Sequence, residues 1–147
     1  MSKLMYLMIV WGGAQQYLLS ALQVQQLTAA RAVCGFACWG WSKKRLLDRT
    51  GWLSIRQLIF FHTALQTIKI KNAKVPKVIY KNLSSEFAYN TRNAATGMIR
   101  NGVMNQSSYR YRAMNCFNQV PLDVRTGSQA SVKRKLKLWV NKNIPID

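Results

Sequence analysis

The sequence predicts a mainly α-helical protein, four to five helices in a single compact domain over 1–147, with an irregular Asn/Ser/Gly-rich central loop. Three observations predict it. Apolar residues recur at intervals of three and four over several long stretches, the pattern of burial on one side of a helix. Serines and glycines stand where such stretches begin and end. The chain has 147 residues, 49% of them hydrophobic, which is enough apolar material for a modest core and unlike a disordered tail.

The N-terminus imitates a short secretory signal: Lys3, an apolar run from Leu4 to Trp11, then Gly12-Gly13-Ala14. A run of about eight residues is at the lower edge for such a signal and far too short to cross a bilayer. A buried helix or strand broken at Gly12-Gly13 is the preferred reading. Residues 15–33 follow as an amphipathic helix, with Leu18, Leu19, Leu22, Ala29, Ala30 and Val33 on one side and Gly35 as its stop. Gly35 to Trp41, rich in Gly, Cys and Trp, reads as irregular. Ser42 can cap a short helix, Lys43 to Arg49, which Gly51 ends.

Ser54 caps the clearest helix, Ile55 to about Lys71. Its stripe is Ile55, Leu58, Ile59, Leu65 and Ile68, widened by Phe60 and Phe61. Pro76 opens a short helix through Leu83. Residues 84–108 read as a loop with a short strand at Phe87 to Thr91, dividing an N-terminal helical half, 1–83, from a basic C-terminal part, 109–147. Tyr109 to Asn118 forms another helix, stopped before Pro121. Ser128 or Ser131 caps the last one, which runs to about Asn143 on a stripe of Val132, Leu136, Trp139 and Val140.

Charge is the strongest compositional signal. Lys and Arg number 22 against four acids, Asp48, Glu86, Asp123 and Asp147, for a net charge of +18. So many unbalanced cations repel one another unless a polyanion covers them. Nucleic acid is the first candidate, ahead of an acidic protein or an anionic membrane. Cys34, Cys38 and Cys116 are too few and odd in number for a disulfide framework, which points to reducing surroundings, nucleus or cytoplasm.

Catalytic chemistry finds little footing. Metal-assisted phosphoryl transfer needs converging carboxylates, yet the nearest two acids, Asp123 and Asp147, stand 24 positions apart. Neither G-x-G-x-x-G nor G-x-x-x-x-G-K occurs. His62, the single histidine, lies inside the Ile55 helix beside Phe61, and a half-buried core role suits it better than acid–base work. Cys34-x-x-x-Cys38 has zinc-ligand spacing, and His62 with Cys116 would complete a Cys3His set. Only one of the two close pairs such a site requires is present, so small apolar thiols near a core are the preferred reading. No metal and no cofactor is expected.

The basic clusters carry more. Lys43, Lys44 and Arg45 open one helix; Lys69, Lys71, Lys74, Lys77 and Lys81 follow another; Tyr109, Arg110, Tyr111 and Arg112 interleave rings with cations; Lys133, Arg134, Lys135 and Lys137 lie on the last helix. Lys and Arg bind phosphates by charge, and Tyr can stack on an unpaired base. Trp11, Trp39, Trp41, Trp52 and Trp139 read as core area, with the alternative that Trp39 and Trp41, in a loop, are partly exposed and mark a contact surface.

Particular strings add a family resemblance. Ile9-Val10-Trp11-Gly12-Gly13-Ala14 is followed by Leu22-Gln23-Val24-Gln25-Gln26 and Ala29-Ala30-Arg31. Leu46-Leu47-Asp48 leads into Gly51-Trp52-Leu53-Ser54-Ile55-Arg56-Gln57-Leu58-Ile59-Phe60-Phe61-His62-Thr63. Tyr111-Arg112-Ala113 precedes Asn118-Gln119-Val120-Pro121 and Asp123-Val124-Arg125, and the end is Val132-Lys133-x-Lys135-Leu136-Lys137-x-Trp139-Val140. In this order, over roughly residues 5–147, the chain resembles the thumb-side, post-palm C-terminal region of animal non-LTR retrotransposon (jockey-like) reverse transcriptases. It departs from that pattern at Leu27, where the family has Asn, and at Phe117, where it has Trp.

The resemblance implies a helical fold that helps hold template and primer, with contacts mainly to phosphates. The family's palm aspartates and endonuclease lie upstream of this region, so the chain is expected to stand alone without catalysis. RNA or an RNA–DNA hybrid is the favoured partner, and the apolar segment Leu4 to Trp11, which the palm would cover, is expected to find a protein partner, self-associate or pack internally. Three other expectations remain: a structural subunit of a larger ribonucleoprotein assembly, a cationic membrane-active or secreted protein, and an element's remnant with no selected role.

Overall fold

A computed structural model of the chain describes residues 8–83, 97–99 and 108–146. The described residues are mainly helical and contain no strand. In chain order the helices are α1 (Met8–Trp11), α2 (Gln16–Cys34), a single 3-10 turn (Phe36–Cys38), α3 (Lys43–Thr50), α4 (Ile55–Ala73), α5 (Lys77–Leu83), α6 (Tyr109–Gln119), α7 (Leu122–Arg125) and α8 (Gln129–Asn143). The strand expected at Phe87 to Thr91, and most of the loop over 84–108, lie outside the described residues. The chain divides into two compact units, 1–59 with 140–147, and 60–139; α4 and α8 contribute residues to both.

In the first unit, α1 ends where the Gly12 N–H reaches the Met8 carbonyl at 2.9 Å, and Met8 is buried. Helix α2 turns a different face inward from the one its leucines suggest. Gln23, Leu27 and Ala30 are buried; of the expected stripe only Ala30 is among them, Leu19 and Leu22 are half-buried, and Leu18, Ala29 and Val33 are exposed. The reason is polar. Gln23 Oε1 accepts the Ile55 N–H at 2.8 Å, and Gln26 Nε2 donates to the Leu53 carbonyl at 2.8 Å. These amides satisfy backbone groups at the start of α4, where an aliphatic side chain would leave them unpaired. A hydropathy stripe cannot register such a face, because its anchors are glutamines.

Leu27, Cys38, Leu46 and Leu47 form the buried cluster of this unit, with Cys34, Trp41 and Ile146 packed on it. Leu27 thus fills a core position. Helix α3 begins as its sequence requires: Ser42 Oγ accepts the Arg45 N–H at 3.3 Å. Gly51 closes it in the left-handed region at φ 66°, a conformation that a Cβ disfavours. Helix α4 opens with a reciprocal cap. Gln57 N–H donates to Ser54 Oγ at 3.2 Å and Ser54 N–H donates to Gln57 Oε1 at 3.0 Å. The other end of the Gln57 amide donates to the Ile144 carbonyl at 2.8 Å and ties in the C-terminal segment.

In the second unit, α4 is enclosed on several sides. Phe60, Phe61, Ala64, Leu65, Ile68 and Ile70 are buried, and so are Thr63 and Thr67. Thr67 Oγ1 donates to the Thr63 carbonyl at 2.8 Å, which disposes of a hydroxyl inside the apolar surroundings. Asn118 clamps Ile99 on both backbone groups, accepting its N–H at 2.9 Å and donating to its carbonyl at 2.8 Å. Of the two serines expected to start α8, Ser128 is the one whose Oγ accepts a backbone N–H, from Ser131 at 3.4 Å. Val132 and Leu136 are buried as the periodicity predicts, and the Trp139 ring meets Phe60 at 5.8 Å.

Candidate nucleic-acid interface

Each unit carries its own basic surface. In the first, Lys43, Lys44 and Arg45 are exposed in the opening turn of α3, with Leu46 and Leu47 directing the opposite side inward. Three cations at the positive pole of a helix oppose its dipole, an arrangement that an incoming anion relieves. The Arg45 guanidinium lies over the Trp41 ring, 4.3 Å from its centroid, which desolvates one face of the cation and fixes its direction.

In the second unit, Lys133, Arg134, Lys135 and Lys137 are all exposed on α8, while Val132 and Leu136 anchor it. Lys135 Nζ donates to the Asp123 carbonyl at 3.0 Å, which orients one member of the row. Lys74, Lys77 and Lys81 are exposed after α4 and along α5; Lys69 and Lys71 are half-buried.

Tyr109, Arg110, Tyr111 and Arg112 sit differently. All four are half-buried in the first turn of α6, capped by Ser108 Oγ, which accepts the Tyr111 N–H at 3.2 Å. Burial pushes the Tyr109 hydroxyl above its ordinary pKa, against the pull of Thr67 and the Arg112 charge. Burial likewise holds Arg112 below its usual range. This quartet is therefore built into the unit, whereas the α3 and α8 clusters stand in water.

Two cations, Lys71 of the second basic cluster and Arg125 outside any cluster, share one ring. Lys71 Nζ lies 4.9 Å and the Arg125 guanidinium carbon 4.5 Å from the centroid of Phe117. Phe117 serves both. Lys71 also donates to the Gly97 carbonyl at 3.3 Å. Burial lowers the pKa of Lys71, with Arg125 adding repulsion. Nothing at the level of helical spacing joins positions 71, 117 and 125, so only the fold could reveal the group.

His62 is half-buried, in edge contact with Phe61 at 5.3 Å. Burial holds its pKa below 6.5, and Lys133 and Lys69 push it further down. Cys34 and Cys38 fall in the first unit, His62 and Cys116 in the second. Among the described residues no three His, Cys, Asp or Glu side chains gather as a metal site would require. Cys38 Sγ instead donates to the Cys34 carbonyl at 3.3 Å, and loss of water together with Cys34 raises its pKa. Burial pushes the Cys116 thiol up to about 12. No helix among the described residues is long and apolar enough to cross a membrane. No protein-family model matches the chain, and no curated protein or solved structure does either.

Proposed function

We propose that this chain is a non-catalytic nucleic-acid-binding module, retrotransposon-derived and akin to the C-terminal region of a non-LTR reverse transcriptase, that grips phosphate backbones inside the cell. The observation that carries the reading is α8. Four exposed cations stand on a helix held by buried Val132, Leu136 and Val140, in a chain of net charge +18. A row of Lys and Arg without convergent acceptors reads charge spacing and carries little information about bases. Backbone contact of this kind makes affinity fall steeply with salt.

The test is binding of the purified chain to labelled RNA, a DNA duplex and an RNA–DNA hybrid across a salt series. Saturable, salt-dependent binding supports the module, and preference for RNA or the hybrid supports the proposed ancestry. No binding near physiological salt overturns it.

One observation favours a second reading, a structural subunit of a larger assembly. The exposed positions of α2 include Tyr17, Leu18, Val24 and Val33, and no Lys, Arg, Asp or Glu. Fully exposed positions without charge, beside a half-buried Arg31, in so cationic a chain suit contact with a protein. Copurification in fixed stoichiometry with a complex would decide for it.

A further inference from the structure

Over residues 60–70 of α4 every position is buried except His62, Gln66 and Lys69, each half-buried. Their spacing of four and three keeps them in one row along one side of the helix. Helix α8 is placed against α4 by contacts at two levels. At one the Trp139 ring meets Phe60 at 5.8 Å. At the other, α7 touches both helices: Lys135 Nζ donates to the Asp123 carbonyl at 3.0 Å, and Arg125 shares the Phe117 ring with Lys71. The two helices therefore run antiparallel. Gln66 is six residues on from Phe60, and Lys133 is six residues back from Trp139. At about 1.5 Å per residue both steps cover about 9 Å. Lys133 thus stands level with Gln66, between the levels of His62 and Lys69. The electrostatics agree: after burial, Lys133 and then Lys69 lower the pKa of His62.

Four side chains from two helices so converge on one narrow strip, two of them cations and two of them neutral donors. Among the described residues no hydrogen bond or ion pair engages the side chains of His62, Gln66, Lys69 or Lys133. The charges acting on His62 are both positive. Cations gathered in a half-buried strip call for an anion. Its donors approach from two sides, Lys133 from α8 and the others from α4. That suits the spread oxygens of a tetrahedral phosphate better than the planar pair of a carboxylate. We propose that this strip seats a single phosphate group, with Lys69 and Lys133 supplying charge and the Gln66 amide and an N–H of the His62 ring supplying the remaining hydrogen bonds. Helix α4 thereby joins α8 in one site, and Lys133 has a role apart from Arg134, Lys135 and Lys137. Two sources share this chemistry, a phosphate of a bound strand and a free phosphate ion, and the experiment separates them; the first rests on the nucleic-acid reading above.

The readout is the NMR signal of the His62 ring, unambiguous because the chain has one histidine. At constant pH the chain is titrated with an RNA hairpin, inorganic phosphate, sodium chloride at matched ionic strength, and a poly-glutamate peptide. RNA affinities across a salt series accompany it. The variants are Gln66→Leu, which removes a donor and no charge, Lys69→Gln, which removes one charge from the strip, and Lys44→Gln, which removes one from α3 as the control. Circular dichroism reports folding. RNA that moves the ring signals saturably supports the seat with a strand as the source, provided that Gln66→Leu weakens RNA binding about tenfold with an unchanged salt slope and Lys69→Gln costs more than Lys44→Gln. Inorganic phosphate that moves the signals saturably, beyond chloride, with the effect lost in Gln66→Leu, supports it with the free ion as the source. If Gln66→Leu fails to fold, Lys69→Gln against Lys44→Gln decides. If RNA binds while neither it nor phosphate moves the signals, and Lys69→Gln binds as well as Lys44→Gln, the seat is overturned and the backbone-gripping module stands. Signals moved by poly-glutamate and by neither RNA nor phosphate overturn the seat as well. If no RNA binds at all, the module falls, and the seat then stands on the phosphate response lost in Gln66→Leu or falls without it.

Discussion

Gln57 makes three hydrogen bonds from a fully buried position, two in the α4 cap and one to the Ile144 carbonyl. Replacing it with Leu keeps the volume and strands the Ser54 N–H and the Ile144 carbonyl, at about 1–3 kcal/mol for each group left unpaired. Urea unfolding of Gln57→Leu checks this, and a loss under about 0.5 kcal/mol would refute it. His62 supplies a pH signature. Its folded pKa is held below 6.5, so the unfolded chain takes up the proton more readily. Its contribution to stability is therefore complete above pH 6.5 and declines as pH falls through the folded value. Thermal midpoints should drop on acidification, and His62→Gln should flatten the drop. Cys116, with its thiol at about 12, should resist alkylation at pH 8 until the chain is unfolded. Equal rates with and without denaturant would contradict that.

At the scale of elements, most helices were legible because their starts and stops are written in local chemistry. Ser42, Gly51, Ser54 and Ser128 perform the parts their residue types suggest. The inward face of α2 was not legible, since its anchors Gln23 and Gln26 act through backbone groups about thirty residues away. The Ser-x-x-Gln signature at 54–57 did contain the reciprocal cap, of which the serine half alone was expected. The basic rows on α3 and α8 could be located from sequence; that the Tyr109–Arg112 quartet is half-buried could not, because helical spacing does not report what packs above a turn. Gly51→Ala should destabilise by about 1 kcal/mol from its positive φ alone, measurable by urea unfolding. Neutralising Lys133, Arg134, Lys135 and Lys137 to Gln leaves the buried face of α8 intact. It should weaken binding similarly for all sequences and lower the salt slope by about 0.9 for each duplex phosphate that is no longer neutralised. Unchanged affinity would remove α8 from the interface.

For the whole molecule the governing quantity is the charge of +18. Repulsion of that size disfavours any compact state and is screened by salt over about 10 Å at 0.1 M. Without a polyanion, raising sodium chloride from about 50 to 500 mM should raise the thermal midpoint. With a bound RNA the same change should lower it, because the stabilising partner leaves. Calorimetric scans with and without RNA would show the crossing, and parallel curves would mean that the charges are already balanced locally.

The setting of the lone histidine reaches into the heat of binding. His62 is kept short of its proton first by burial and then by Lys133 and Lys69. A phosphate drawn to those lysines offsets their repulsion, so the imidazole recovers basicity and takes up part of a proton from the buffer. Binding near pH 6 would then be proton-linked. Its measured enthalpy would vary between MES and bis-Tris in proportion to their heats of ionisation, and with one histidine in the chain the variation should vanish in His62→Gln.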